Sequence, residues 1–107
     1  MFANTPFNRP IGDWNVRKVR SMREMFSDAK QFNQDISGWD ISNVYDFVNM
    51  FRGAISFYQD LSSWTIKQFT QTRHMFVECP LDRHVDMRPR VEGTSSRVNE
   101  PIYNSNK

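Results

Sequence analysis

A 25-residue repeat constrains this chain more than any other feature of its sequence. Three tryptophans recur at one constant interval, and the apolar residues around them fall into the same columns in each copy. Self-similarity at a period of roughly 20 to 50 residues is typical of stacked units, none of which can bury its apolar side alone. The columns expected to form the shared core are Phe7, Phe32 and Phe57; Ile11, Ile36 and Leu61; Trp14, Trp39 and Trp64; and Phe26, Phe51 and Phe76.

Each copy has two halves with different apolar spacings. From Val44 onwards, the apolar residues Val44, Phe47, Phe51 and Ala54 follow one another at steps of 3, 4 and 3, as one face of a short helix requires. The segment 32–37 is short and is followed by a glycine, which favours a strand and a turn. The sequence therefore predicts an α/β repeat, a short right-handed leucine-rich-repeat-like solenoid with one short parallel strand and one short helix per 25-residue repeat.

The repeat array is expected to span residues 1–86. Its copies are residues 1–24, 25–49 and 50–74, and a decaying fourth copy, residues 75–86, closes the stack. Residues 87–107 are polar and have no apolar period, which predicts a disordered tail.

The first copy begins in the middle of a repeat, because Met1 aligns with Met25. This alignment favours a fragment of a longer array. A complete short array is the alternative, with its open end covered by the tail or by self-association. In either case the open end of the first copy would expose Phe2, Phe7 and Trp14.

A resemblance to a known family supports this architecture. The phrase MFSDAKQFNQDISGWDISNV, residues 25–44, closely resembles the repeat of the BspA-like leucine-rich-repeat surface proteins. That group includes the 25-residue repeat domain of unknown function first described in mycoplasma lipoproteins. The resemblance covers residues 1 to about 79. It implies a leucine-rich-repeat-like solenoid, a cell-surface or extracellular location, and a role in adhesion or protein binding.

Residues that could carry chemistry do not recur from copy to copy. Cys79 is the single cysteine and occupies a core column, while His74 and His84 have no second ligand at helical spacing. Three aspartates between residues 35 and 46 could suggest a calcium stripe, but the other copies do not keep them. We therefore predict no enzymatic activity, no cofactor and no metal site.

Charge leaves two kinds of partner open. The net charge of +2 does not by itself favour nucleic acid or an anionic membrane, and no apolar run is long enough for membrane insertion. The leading hypothesis is a non-catalytic module for protein–protein interaction or adhesion, with a protein ligand. The less favoured alternative is a nucleic acid or another anionic partner, bound through the basic first helix at Arg17, Lys18, Arg20 and Arg23.

Overall fold

Turns and irregular segments make up most of residues 1–100, the part of the chain that the computed structural model describes. Two strands, Thr65–Ile66 (β1) and Arg90–Val91 (β2), pair in parallel, with Thr65 opposite Arg90 and Ile66 opposite Val91. Two short 3₁₀ helices, Pro80–Arg83 and Val85–Met87, lie between these strands in the chain. Single-residue parallel bridges join Ser21 to Asp46 and Asp46 to Gln71.

Backbone hydrogen bonds alternate in direction along residues 22–28 and again along residues 47–53. The N–H groups of Phe47, Asn49, Phe51 and Gly53 donate to carbonyls one repeat further along the chain, at 2.8 to 3.0 Å. Of the N–H groups between them, those of Met50 and Arg52 donate to the carbonyl three residues back, and that of Val48 donates to the Asp46 carboxylate. Every second N–H group therefore joins one copy to the next, and the others close turns.

The predicted helix in each copy is not found in residues 1–100, so this part of the prediction is wrong. The helical spacing correctly placed Phe47, Phe51 and Ala54 in the core, where none is exposed. The backbone between them is interrupted by Asn49 and Gly53, which have positive φ angles of 59° and 76°. A left-handed residue at every fourth position stops a right-handed helix. The equivalent left-handed residues are Glu24 and Asp28 one repeat earlier and His74 and Glu78 one repeat later.

The predicted strand at residues 32–37 is also not found. Parallel pairing does occur, but at the bridges around Asp46 and between β1 and β2, and each pair joins equivalent positions one repeat apart. A right-handed solenoid as the architecture of the whole array stays a prediction.

Two columns of aromatic rings fill the core. The rings of Phe26, Phe51 and Phe76 stack with centroids 5.7 Å apart, and those of Phe32 and Phe57 stack at the same distance. The columns also contact each other, with 3.9 Å between the centroids of Phe26 and Phe32. Burying one such side chain contributes about 2 to 3 kcal/mol, and each stacked pair about 1 kcal/mol more. Repetition is therefore the means by which this short chain builds a core.

Ten of the twelve predicted core residues are buried, including Trp39 and Trp64 at 4% and 2% exposed. The two exceptions lie on the outer face of the first copy, where Phe7 is half-buried and Trp14 is 43% exposed. No other copy packs against that face within residues 1–100, which explains the exposure of both side chains.

A polar ladder joins the copies on their surface. The Oδ1 atom of Asn8 accepts a hydrogen bond from the N–H of Asn33 and another from the amide of Gln34, both at 2.9 Å. Asn33 repeats the arrangement one copy later, with the N–H of Tyr58 at 2.9 Å and the amide of Gln59 at 2.8 Å. The asparagine column thus fixes the register of each copy on the next.

Residues 87–100 pack against the third copy, so the predicted disordered tail is wrong for this segment. Arg88 and Val98 are 3% and 1% exposed, and β2 pairs with β1. Residues 101–107, the rest of the predicted tail, lie outside the described residues. The polar composition of the segment predicted disorder, but the charged side chain of Arg88 is buried. A buried charge is tolerated when it is fully hydrogen-bonded, as this one is.

The Arg88 guanidinium closes the end of an aromatic column. Its carbon lies 5.7 Å from the centroid of the Phe76 ring, on which no further phenylalanine stacks within residues 1–100. Its five N–H groups donate five hydrogen bonds at 2.8 to 3.3 Å. The acceptors are the backbone carbonyls of Leu81, Asp82, Val98 and Asn99 and the carboxylate of Asp82.

Candidate functional site

A groove crosses all three copies along the turn that follows the tryptophan of each copy. Its volume is about 430 Å³, and three cations line it, Lys18 and Arg20 from the first copy and Lys67 from the third. We call this cavity the basic groove. Its other lining residues are Ser42, Asn43, Val44, Tyr45 and Thr70.

Hydrogen bonds between copies hold the walls of the basic groove together. The N–H of Tyr45 donates to the carbonyl of Arg20 at 2.8 Å, and the N–H of Gln71 donates to the carbonyl of Tyr45 at 3.0 Å. The side-chain amide of Asn43 donates to the carbonyl of Arg17 at 2.7 Å. Paired backbones lie about 4.8 Å apart, so the backbones of the first and third copies are roughly 10 Å apart. The cations are thus presented at a spacing that the fold sets.

The structure separates the four residues of the predicted basic patch. Lys18 and Arg20 line the basic groove, whereas Arg17 and Arg23 do not. Nη1 of Arg23 lies 3.2 Å from Oδ2 of Asp46, an ion pair that joins the first copy to the second. Half of the predicted patch therefore belongs to the groove.

Lys67 belongs to the groove but was missed by the sequence analysis. It occupies the same column of the repeat as Arg17 in the first copy and Ser42 in the second. Lys67 lies two copies away from the predicted patch in the sequence, and the signal for it is its column, which aligns it with Arg17, the neighbour of Lys18.

Phe69 is 94% exposed, although Val44, the equivalent residue of the second copy, is buried. The turn in the third copy explains the difference. In the second copy the N–H of Val44 donates to the carbonyl of Ile41, whereas in the third the N–H of Thr70 donates to the carbonyl of Lys67. The turn has shifted by one residue, and Phe69 lies outside the core, between two groove residues in the chain.

The aspartates that could have suggested a calcium stripe close local turns. Oδ1 of Asp35 accepts hydrogen bonds from the N–H and the hydroxyl of Ser37, at 2.9 and 2.7 Å. Asp40 and Ser42 make the same pair of bonds at 3.1 and 2.6 Å. The serine hydroxyls, followed by the backbone N–H groups, lower the pKa of both carboxyl groups. Across residues 1–100, no group of three or more histidine, cysteine or acidic side chains is placed to hold a metal ion.

Cys79 is buried in the core, as its column predicted. Its thiol contacts the carbonyl oxygen of Phe57 at 3.7 Å, and burial raises its pKa to about 12. A thiol with such a pKa carries almost no thiolate at neutral pH and is a poor nucleophile.

The outer face of the first copy is an apolar surface separate from the basic groove. The rings of Phe2 and Phe7 stack with centroids 3.9 Å apart, beside a shallow cavity of about 510 Å³ that Pro6 and Arg9 also line. Together with the exposed side of Trp14, this face is where self-association was predicted. Self-association through the open end stays a prediction.

Contacts between equivalent residues of successive copies define the chain as a repeat protein. Within the part that is described, no helix is long and apolar enough to cross a membrane. The chain belongs to the family described as mycoplasma protein of unknown function, DUF285, whose model matches residues 1–86. No curated protein and no solved structure matches the chain.

The family match confirms the part of the resemblance that concerns a mycoplasma domain of unknown function. Membership of the BspA-like leucine-rich-repeat group stays a prediction, as do a cell-surface location and a role in adhesion.

Proposed function

We propose that this chain is a non-catalytic module that binds another protein through the basic groove and the adjoining Phe69. The observation that carries the proposal is the exposure of two aromatic side chains, Phe69 at 94% and Tyr45 at 56%. Tyr45 lines the groove, and Phe69 lies between the groove residues Lys67 and Thr70 in the chain. Aromatic and arginine side chains supply most of the binding energy in many protein interfaces.

The lining of the groove supports binding rather than catalysis. It consists of cations, hydroxyl groups, one amide and one valine, with no carboxylate, histidine or cysteine among the lining residues. General acid–base catalysis or a nucleophilic mechanism would need such a group beside the bound substrate. Absence of enzymatic activity is therefore part of the proposal.

Adhesion at a cell surface is the setting that we propose for this binding. The resemblance of residues 25–44 to the repeats of surface proteins supports this setting. A short solenoid also suits it, because stacked copies present an extended, rigid surface.

The proposal is tested by panning a phage-displayed random peptide library against the immobilised chain. We expect enriched peptides that bind at least tenfold more weakly to the double variant Phe69→Ser, Tyr45→Ser. Both side chains are exposed, so the double variant should keep the melting temperature of the parent. Ile55→Ser is the matched control, because Ile55 is 58% exposed and does not line the groove.

The proposal fails if no peptide is enriched above the blank surface. It also fails if the enriched peptides bind equally to the parent and to the double variant, or if Ile55→Ser weakens binding as much as the double variant does.

A further inference from the structure

We infer that the basic groove takes an acidic polypeptide segment in an extended conformation, running along the stack from the first copy to the third. This inference rests on the proposed function and names the chemistry of its partner. Lys18 and Arg20 stand at one end of the groove and Lys67 at the other, with no carboxylate among the lining residues. A ligand that contacts both ends therefore needs at least two negative charges.

The spacing of the cations fits an extended peptide. The backbones of the first and third copies lie roughly 10 Å apart, and an extended chain rises about 3.3 Å per residue. Carboxylates two to four residues apart are thus separated by about 7 to 13 Å, which the flexible side chains of Lys18 and Lys67 can match. We expect acidic residues two or four positions apart to be preferred, because these share one side of an extended strand.

The lining of the groove can also hydrogen-bond a peptide backbone. The hydroxyl groups of Ser42, Tyr45 and Thr70 accompany the cations, and a hydroxyl group can both donate and accept. Phe69 lies between the groove residues Lys67 and Thr70 in the chain, and its exposed ring offers a contact for an apolar side chain of the same peptide. Acidic residues alternating with apolar or small residues match this lining.

One acidic side chain makes the two ends of the groove differ in charge. A smaller cavity of about 250 Å³ shares Ser42, Val44 and Lys67 with the basic groove and is also lined by Glu92. The Glu92 carboxylate repels negative charge at the third-copy end, so a ligand carboxylate near Lys67 is opposed while those near Lys18 and Arg20 are not. Removing this charge should strengthen the binding of an acidic peptide.

The same observations favour a polypeptide over a nucleic acid. Three cations line the groove, and Arg23 of the predicted patch is paired with Asp46. Binding to single-stranded nucleic acid relies on many phosphate contacts and on a row of aromatic side chains that stack on successive bases. Tyr45 is the one aromatic residue among those that line the groove.

The test is fluorescence anisotropy with the full 107-residue chain and labelled probes. The first probe is a dodecapeptide with glutamate at alternate positions, and the second is the same peptide with glutamine at those positions. A twelve-nucleotide oligothymidylate is the third. We expect the glutamate peptide to bind at least tenfold more tightly than the glutamine peptide and more tightly than the oligonucleotide.

Variants assign the binding to the groove. Changing Lys18, Arg20 and Lys67 together to serine should weaken binding of the glutamate peptide at least tenfold, and Glu92→Gln should strengthen it about two- to fivefold. The matched control makes the same change of net charge on exposed cations outside the groove, by changing Arg9, Lys30 and Arg52 to serine.

The inference is overturned if the two peptides bind equally, or if the control triple variant loses as much affinity as the groove variant. Tighter binding of the oligonucleotide, lost in the groove variant, would make the groove a nucleic-acid site and would overturn the proposed function as well. If library peptides bind through Phe69 and Tyr45 but the glutamate peptide does not bind, this inference alone fails.

Discussion

Replacing Arg88 should destabilise the chain more than replacing any arginine on its surface. The side chain is 3% exposed, its guanidinium lies over the Phe76 ring, and all five of its N–H groups are hydrogen-bonded. Burial lowers the pKa of this arginine, and the nearby Asp82 carboxylate opposes that shift. The guanidinium stays charged at neutral pH because its pKa starts so high.

The structure sets the size of the effect. In Arg88→Ala the carbonyl of the buried Val98 loses its donor, and such an unsatisfied group costs about 1 to 3 kcal/mol. The carbonyl of Leu81 loses one hydrogen bond, worth about 1 kcal/mol, but keeps the N–H of His84 at 3.2 Å. The carboxylate of Asp82 is 57% exposed, so its ion pair adds little. We expect Arg88→Ala to lower the free energy of unfolding by about 3 kcal/mol. Arg88→Lys keeps the charge but has three donors on one atom, and should cost about 2 kcal/mol.

Urea unfolding followed by tryptophan fluorescence measures these costs, because Trp39 and Trp64 are buried and report on the core. Arg83→Ala is the matched control, since Arg83 is exposed and lies in the same region, and it should change stability by less than about 0.5 kcal/mol. Should Arg88→Ala be too unstable to measure, the lysine variant still gives a value. If both Arg88 variants change stability no more than a surface substitution does, about 0.5 kcal/mol, the role of this residue as the cap of the aromatic column is refuted.

Three further predictions follow from individual contacts. Cys79 should react with thiol reagents at least about a hundredfold more slowly in the folded chain than in denaturant, because burial raises the pKa of its thiol to about 12. Equal rates in a stopped-flow assay would contradict its burial. Ser42→Ala should raise the pKa of Asp40 towards the ordinary value of an aspartate, as measured by NMR titration. Because the pKa of Asp40 is lower in the folded chain than in the unfolded chain, its contribution to stability is present above about pH 4 and is lost as the pH falls through the folded pKa. An unchanged titration of Asp40 in the variant would argue against the hydrogen bond from the Ser42 hydroxyl. Gly12→Ala should lower the free energy of unfolding by about 1 to 3 kcal/mol in urea, because the new Cβ would stand 2.5 Å from a backbone carbonyl oxygen of the second copy. In the control Gly38→Ala, the new Cβ meets nothing within 4 Å and should not destabilise the chain. Equal effects of the two substitutions would count against this packing.

Burial could be predicted from this sequence far better than backbone conformation. The repeat placed Phe26, Phe51 and Phe76 in one column because burial follows apolar character and spacing, both of which the sequence shows directly. The backbone could not be read from the same spacing, since a helix and a series of three-residue turns bury the same positions. Asn49 and Gly53, residue types that favour positive φ, carried the missing signal.

The candidate site was only half predictable, for two physical reasons. The groove collects side chains from different copies, so Lys67 is distant in sequence from Lys18 although the two line one cavity. The exposure of Phe69 depends on a turn that shifts by one residue, which hydropathy does not reveal. Arg88 shows a third limit, because an arginine that belongs in a core looks in sequence like any other charged residue of a polar tail.

The alternating hydrogen bonds of the backbone also determine how the stack would respond to mechanical tension. The bonds that join neighbouring copies come from the same set of donors in residues 22–28 and in residues 47–53. A force that pulls the two ends of the stack apart loads every boundary between copies equally, and the boundaries yield one at a time. Each copy that detaches releases one repeat length of chain, about 85 Å when extended. A molecule anchored at both ends would lengthen in discrete steps under load, and each step would dissipate work before the next boundary yields.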